Sequence, residues 1–325
     1  MPMKFPRRTF LHLAASTATA PLLSRTASAL DYPTRPIHLV VGFFAGGLSD
    51  ILARLIAQAL SQRLGQQVVV DDRPGAGSNL ATEIVARAPP DGYTLLLVPF
   101  TATINATLYD NLNFNFVRDI APVASISSTP GIMVVNLSLP ARTVPEFIAY
   151  AKANPGKINF ASSGTGSLPH VGGELFKFMT GLDLVRVPYT GSYFPDLLAG
   201  QVQVSFATIP SAIEFVRAGK LRALAVTGRA RSQILPDLPT VGEFVPGYAA
   251  DAWNGVGAPT GTPPEIIDKL NKEINAVLAD PAMQAQLTKM GSEPLSMSPA
   301  DFGKFIASET GKWAKVIRAA GIKPE

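Results

Sequence analysis

Two periods run through the apolar and polar positions of this chain. Ile37, Leu39, Val40 and Val41 make a short apolar run rich in β-branched residues, which suits a strand buried on both faces. Beyond it Ile51, Leu52, Leu55, Ile56, Ala59, Leu60 and Leu64 recur at helical spacing, and Gly65 stops the helix. Between the two, Gly46 and Gly47 permit a tight turn and close backbone approach. Ser49 and Asp50 are expected to offer oxygen acceptors to the first N–H groups of the helix. Residues 67–71 then read as a strand, residues 73–78 as a turn opening a helix to Ala88, and residues 93–98 as a third strand. The order β-α-β-α-β over residues 36–98 predicts parallel strands covered by helices. Residues 100–115 read as polar and irregular, a loop at the carboxyl end of a strand, where open α/β sheets bind ligands.

Residues 124–135 are extended around a Pro-Gly interruption and are taken as a crossing into a second lobe. Thr143-Val144-Pro145-Glu146 is a capping box that starts a helix to Ala153. A strand over 158–161 leads into Ser162-Ser163-Gly164-Thr165-Gly166-Ser167-Leu168-Pro169-His170 and another helix. This repeats the device around Gly46: strand, glycine turn, helix start. Strands over 184–188, 202–208 and 221–227 alternate with helices ending at Ala199 and Ala218. After a proline- and glycine-rich surface segment at 236–247, residues 252–258 read as a strand returning to the first lobe. Three helices follow: Pro263 to Ala279, residues 281–290, and Ser298 to about Gly321. The expectation is an α/β protein of two lobes, residues 30–125 with 250–325 and residues 126–249, each a mainly parallel sheet flanked by helices.

Composition narrows the function. The chain has 325 residues, 47% of them hydrophobic, enough for two sizeable cores. It has no cysteine, which excludes disulfides and thiolate chemistry. Residues 1–29 read as a twin-arginine export signal: Arg7-Arg8-Thr9-Phe10-Leu11, an apolar stretch, then Ala27-Ser28-Ala29 as a cleavage site. Cleavage there would release the mature chain outside the bacterial cytoplasm. The net charge of +4 resides in this segment. Removing Lys4, Arg7, Arg8 and Arg25 from the 28 basic residues leaves 24, against 24 acidic ones. A neutral mature chain without a basic block offers no electrostatic case for nucleic acid. No later stretch reaches the roughly 18 apolar residues of a membrane span.

A strand feeding a helix through a glycine turn aims backbone N–H groups and the positive end of a helix dipole at one point, a place for a carboxylate or phosphate. Two such turns in two lobes suggest a cleft that closes on an anion from both sides. Two consecutive aromatics, Phe43 and Phe44, are hard to bury together, so at least one is expected to face ligand or the opposite lobe. No G-x-S-x-G, Ser-x-x-Lys or H-E-x-x-H occurs, so hydrolase and metal signatures are missing, and no cofactor is expected. His38 is expected to be a structural residue of a buried strand. His170 and Asp50 are open between local bonding at a helix start and a place in the cleft. Across the cleft they would be the acid–base pair of a secreted enzyme, the competing reading. Trp253 and Trp313 are expected in cores.

Four stretches carry a resemblance: Val40–Asp50 (VVGFFAGGLSD), residues 73–97 (RPGAGSNLATEIVARAPPDGYTLLL), residues 159–170 (NFASSGTGSLPH) with 188–201 (PYTGSYFPDLLAGQ), and residues 221–243 (LRALAVTGRARSQILPDLPTVGE). Together with residues 253–264 (WNGVGAPTGTPP), they resemble the Bug-type, TctC-like receptors of tripartite tricarboxylate transporters across essentially the whole mature chain. The resemblance implies a two-lobed periplasmic binding protein (type II, Venus flytrap) that binds without catalysis, acts as a monomer and serves membrane permease subunits. It also implies a small carboxylate ligand pinched between two loops. Carried onto this sequence, the first loop is Phe43, Phe44, Ala45, Gly46, Gly47, Ser49 and Asp50. The second is Ser162, Ser163, Gly164, Thr165, Gly166, Ser167 and His170. Thr101 and Thr190 complete the expected lining. The chain departs from the family where Gly42, Phe44 and Ala45 replace a proline-rich run, and where Thr190 stands in place of a frequent lysine. Both changes favour a carboxylate with a moderately apolar body, such as an aromatic acid or a longer dicarboxylate.

Overall fold

Strand β1 (Ile37–Val41) is the apolar run read from the sequence, and it pairs in parallel with β2 (Val68–Asp72) on one side and β3 (Thr94–Pro99) on the other. This computed structural model describes residues 31–324; the export-signal reading of residues 1–29 lies outside the described residues. Helix α1 (Leu48–Leu64) links β1 to β2 and ends where Gly65 adopts φ +68°. Helix α2 (Asn79–Ala86) links β2 to β3. Residues 100–115 correct the loop expectation. They hold helix α3 (Thr101–Leu108), followed by the short helix α4 (Phe116–Asp119).

The crossing is a single strand of 17 residues, β4 (Ile120–Asn136). Beyond it come α5 (Val144–Ala153), β5 (Ile158–Ser162), α6 (Leu168–Thr180), β6 (Leu184–Pro188), α7 (Phe194–Ala199), β7 (Val204–Thr208), α8 (Ile209–Arg217) and β8 (Leu221–Val226). The Thr143 hydroxyl accepts from the Glu146 N–H, as the capping pattern implies. The chain returns through β9 (Asp251–Pro259) and closes with α9 (Pro264–Leu278), α10 (Pro281–Lys289), β10 (Glu293–Pro294) and α11 (Pro299–Ala320).

Among the described residues ten strands form one sheet with the backbone order β2-β1-β3-β9-β4-β7-β5-β6; β8 and β10 both pair with β4. The parallel pairs are the βαβ units, β1 with β2 and β3, and β5 with β6 and β7. Every antiparallel pair involves β4 or β9. Strand β4 changes partner midway. Residues through Pro130 pair with β9, and from Gly131 onward the strand pairs with β7 and β8. Among the described residues, 33–324 form one compact unit, and the two halves share a sheet.

The core falls into clusters, one of which also takes Ile104 and Leu108 from α3. Val40, Leu96, Val98, Phe116, Trp253, Phe302 and Ile306 form one cluster. Phe147, Phe160, Phe176, Phe206, Tyr248 and Trp313 belong to another. Both tryptophans are buried, as expected. Helix α11 serves both cores, giving Phe302 and Ile306 to the first and Trp313, Val316 and Ile317 to the second. His38 is a correction. The strand alternates sides, and the His38 side chain points outward and is exposed while its neighbours are buried.

Candidate functional site

The two glycine turns are the same object built twice. In the first, the Gly47 N–H donates to the Phe44 carbonyl at 3.1 Å, Gly46 takes φ +79°, and the Ile51 N–H closes the first helical turn on the Gly47 carbonyl at 3.0 Å. In the second, the Ser167 N–H donates to the Gly164 carbonyl at 3.1 Å, Gly166 takes φ +78°, and the Val171 N–H reaches the Ser167 carbonyl at 2.9 Å. The left-handed conformation explains why glycine occupies both positions. The N-cap residues also match: Gly47 at φ −74°, ψ 166° and Ser167 at φ −67°, ψ 158°, neither with a side-chain cap. A helix start leaves its first N–H groups without an intrahelical acceptor, and here nothing from the cap residue fills that role. Pro169 has no N–H, so α6 offers one donor fewer than α1; the Ser163 and Ser167 hydroxyls stand beside it, 3.0 Å apart.

Asp50 and His170 hold equivalent places, four residues after the left-handed glycine. The Gly46 N–H donates to Asp50 Oδ2 at 2.7 Å, and the Gly166 N–H donates to His170 Nδ1 at 3.2 Å. Both side chains are buried, at 3% and 1% exposure, and each ties down its own turn. Asp50 therefore does not cap the α1 N–H groups as the sequence implied; it reaches backwards to the glycine. Arg54 Nε lies 2.7 Å from Asp50 Oδ1 and its Nη2 lies 2.8 Å from Asp72 Oδ2. Burial works to raise the Asp50 pKa, but the Gly46 N–H and the Arg54 guanidinium outweigh it and hold the carboxyl below its ordinary value. Burial together with the neighbouring Asp50 pushes Asp72 the other way.

The turns flank a cleft of about 450 Å³. Of the expected site residues, Phe43, Ser49, Thr101, Ser163 and Ser167 line it. Phe44 does not. It is 77% exposed at the tip of the first turn, and of the aromatic pair Phe43 alone faces inward. Ala45, Gly46, Gly47 and Gly164 are exposed on the turns, and Gly166 is buried against α3, where a side chain would touch Ile104 at 3.6 Å. Ser162 is fully buried and its hydroxyl accepts from Arg186 Nε at 2.8 Å, so it supports the turn from behind. Thr165 Oγ1 is buried without a partner. Thr190 is exposed and does not line the cleft.

The sequence reading missed part of the wall. Tyr193 and Phe194 come from the start of α7, Thr208 and Ser211 from the start of α8, and Thr129, Ala252 and Asn254 from the crossing strands. Polar residues inside the otherwise apolar runs of β4 and β9 were the available signal for the last group. A larger open groove of about 760 Å³ runs between the ends of α3 and α11, and no turn residue lines it. Among the described residues no cluster of His, Cys, Asp or Glu is arranged to hold a metal ion.

Where β9 begins, a charged cluster sits between the crossing strand and α11. Glu309 accepts from Arg229 Nη2 at 2.7 Å, Lys312 Nζ at 2.9 Å and Trp313 Nε1 at 3.1 Å. Lys312 Nζ also donates to the Ala249 carbonyl at 2.9 Å. Asp251 lies beside them with its Oδ1 buried and unpartnered. Burial first, and Glu309 as well, push its pKa up to about 7 against the opposing pull of Lys312 and Arg229.

Residues 52–322 match the family described as the tripartite tricarboxylate transporter family receptor, TctC. The chain belongs to this family. This receptor is 37% identical to protein BugT of Bordetella pertussis over 306 residues, 93% of this chain and 94% of that one. Among solved structures, Rpa4515 of R. palustris with adipate is 39% identical, with a TM-score of 0.74 over 91% of this chain and 100% of the other. MatC of Rhodopseudomonas palustris with bound malate is 30% identical, with a TM-score of 0.70 over 88% and 100%. Membership makes this chain a solute-binding receptor and not an enzyme, and the Asp50–His170 acid–base reading falls with it: each side chain is engaged by the backbone of its own turn. No helix among the described residues is long and apolar enough to cross a membrane.

Proposed function

We infer that this receptor works in the periplasm, captures a small carboxylate between its two glycine turns and delivers it to the permease subunits of a tripartite tricarboxylate transporter. The observation that carries the reading is the equivalence of the turns. Two uncapped helix starts, each locked by a side chain four residues on, flank one cleft. Donors fixed in this way meet an anion without further ordering, which favours affinity. The adipate and malate bound by its relatives are carboxylates too.

In this reading the lobes divide at Pro130–Gly131, where β4 exchanges β9 for β7, and again just before β9. On this reading the first boundary lies a few residues beyond the 125–126 division expected from sequence. The twin-arginine-type signal would export the chain, and the mature receptor would act as a monomer.

A thermal-shift screen of the mature chain against mono-, di- and tricarboxylates, aromatic acids and amino acids tests the reading. A ligand at about 1,000 times its Kd adds roughly 4 kcal/mol, a shift of several degrees. Gly47→Val, whose Cβ would stand 3.1 Å from the Phe44 carbonyl at the head of α1, should remove that shift while leaving the unliganded melting curve intact. A shift that survives in Gly47→Val would mean that the first turn does not hold the ligand.

A further inference from the structure

With the lobes divided as above, two stretches of backbone pass between them: β4 at Pro130–Gly131 and the segment leading into β9. Both are bonded to one residue. Thr227 lies just beyond β8 and is fully buried. Its N–H donates to the Gly131 carbonyl at 2.9 Å, and its Oγ1 accepts from the Gly131 N–H at 2.8 Å. The same hydroxyl donates to the Ala250 carbonyl at 2.7 Å, and the Thr227 carbonyl accepts from the Ala250 N–H at 2.8 Å. The N–H, carbonyl and hydroxyl of Thr227 are thus all engaged, and the hydroxyl serves both crossings at once.

The residues around Thr227 make room for this arrangement. Pro130 has no N–H to give to β9, so Gly131 is the first donor of β4 beyond the change of partner. A Cβ at Gly131 would stand 2.6 Å from Thr227 Oγ1 and 2.8 Å from the Ala207 carbonyl oxygen. One at Gly228 would stand 2.9 Å from Asp251 Oδ1 and 3.0 Å from the Pro130 Cβ. Glycine at both positions lets the end of β8 lie against both crossings. Arg229 follows and reaches Glu309 of α11 at 2.7 Å.

Helices α3 and α11 also pack across the division. Packed side chains can slide past one another by small amounts. A residue bonded to the backbone of both crossings cannot part from either without leaving buried donors and acceptors unpaired. Relative movement of the halves is therefore smallest at Thr227.

We propose that Thr227 is a positioning residue, the pin on which the two halves of this receptor turn. It holds both crossings at one point and so sets how the two glycine turns face each other. The proposal rests on the lobe division and the receptor reading above.

The chain has no cysteine, so spin labels can be placed at will. Arg87→Cys with Lys220→Cys, both exposed and on opposite sides of the division, reports the distance between halves. Arg87→Cys with Lys272→Cys reports a distance within one half. Thr227→Val keeps the shape of the side chain and loses the hydroxyl. In the unliganded mature chain it should broaden the distribution between halves, measured by electron–electron resonance, and leave the one within a half unchanged. The Gly131 amide should exchange about fivefold faster. Thr227→Ser, which restores the hydroxyl, should return both readings to those of the native chain. Broadening of both distances alike would mean general loosening, and an unchanged distance between halves beside a faster Gly131 amide would mean a bond that positions nothing; either result overturns the proposal. Gly228→Ala is the second probe and decides if Thr227→Val does not fold. Its Cβ must press against Pro130 and Asp251 and should shift the mean distance between halves, and a mean that stays in place overturns the pin. No ligand enters these measurements, so the carboxylate screen decides the receptor reading separately.

Discussion

Asp251→Asn separates the charge of the crossing-point cluster from its shape. Asp251 holds its proton more tightly folded than unfolded, with a pKa moved from 3.8 to about 7, chiefly by burial. Between those values the folded chain carries a proton that the unfolded chain has lost, so stability falls as pH rises through the interval and levels off on either side. Each tenfold change in proton affinity is worth about 1.4 kcal/mol, which sets a ceiling of about 4 kcal/mol on the effect. The residue as a whole is partly exposed. Screening by water trims the ceiling, and about 2 kcal/mol is expected. Asparagine keeps the size of the side chain and stays neutral at every pH. Urea unfolding of both proteins from pH 4 to pH 8 should show similar stabilities at the acid end and a more stable variant at pH 8. Taking the difference between the two proteins cancels the titrating groups that Asp251 does not touch, leaving Asp251 and its coupled neighbours Glu309, Lys312 and Arg229. A difference that stays flat across the series would refute the reasoning, because it would mean that the Asp251 carboxyl ionises as freely folded as unfolded.

Asp50→Ala removes the acceptor of the Gly46 N–H. It should cost about 1 kcal/mol of stability, weaken carboxylate binding severalfold and speed exchange of the Gly46 amide, with Asp50→Asn retaining most of each; an unchanged Gly46 exchange rate would show that the bond does not hold the turn. Gly46→Ala forces a side chain to φ +79° and should cost about 1–2 kcal/mol, whereas Gly164→Ala, at ordinary φ and in open space, should be near neutral by denaturant titration. Gly42→Ala should destabilise by about 1–3 kcal/mol, because its Cβ would collide with Ser78, including the Ser78 Cα at 2.6 Å. Ser78 itself sits at φ +81°, so Ser78→Gly should raise the unfolding midpoint, and a lowered midpoint would show that the Ser78 side chain does more for the loop than its strain undoes.

Much of the fold was written in local signals. Strands 37–41 and 184–188 match the sequence reading to the residue, and the helices ending at Gly65 and starting at Ser298 stop and start where the punctuating residues say. The two turns were legible because glycine, a preceding apolar strand and a following apolar helix all agree. Helix α3 was not. Its sequence, TATINATL, is rich in threonine and asparagine, and it is held by tertiary contacts: Ile104 and Leu108 enter a core, and Asn105 Nδ2 donates to the Gly77 carbonyl at 2.8 Å. For Asp50 and His170 the sequence left local bonding and a place in the cleft open, since nothing local says whether an early-helix side chain reaches forward to its helix or back to a glycine; neither is among the residues lining the cleft. The aromatic wall of Tyr193 and Phe194 was invisible for a simpler reason: only the completed sheet brings α7 opposite residues 43 and 100, far away along the chain.

Helix α11 has a bearing on how the protein is made. It leaves the ribosome after every other described element, yet it supplies Phe302 and Ile306 to one core and Trp313 and Ile317 to the other. Neither half can finish packing while the chain is still being extended through residue 313. The nascent receptor must therefore stay open, with both cores short of aromatic side chains, until α11 docks. Folding should then complete both halves in one step rather than one half after the other. A chain in this condition is open to chaperones for most of its synthesis.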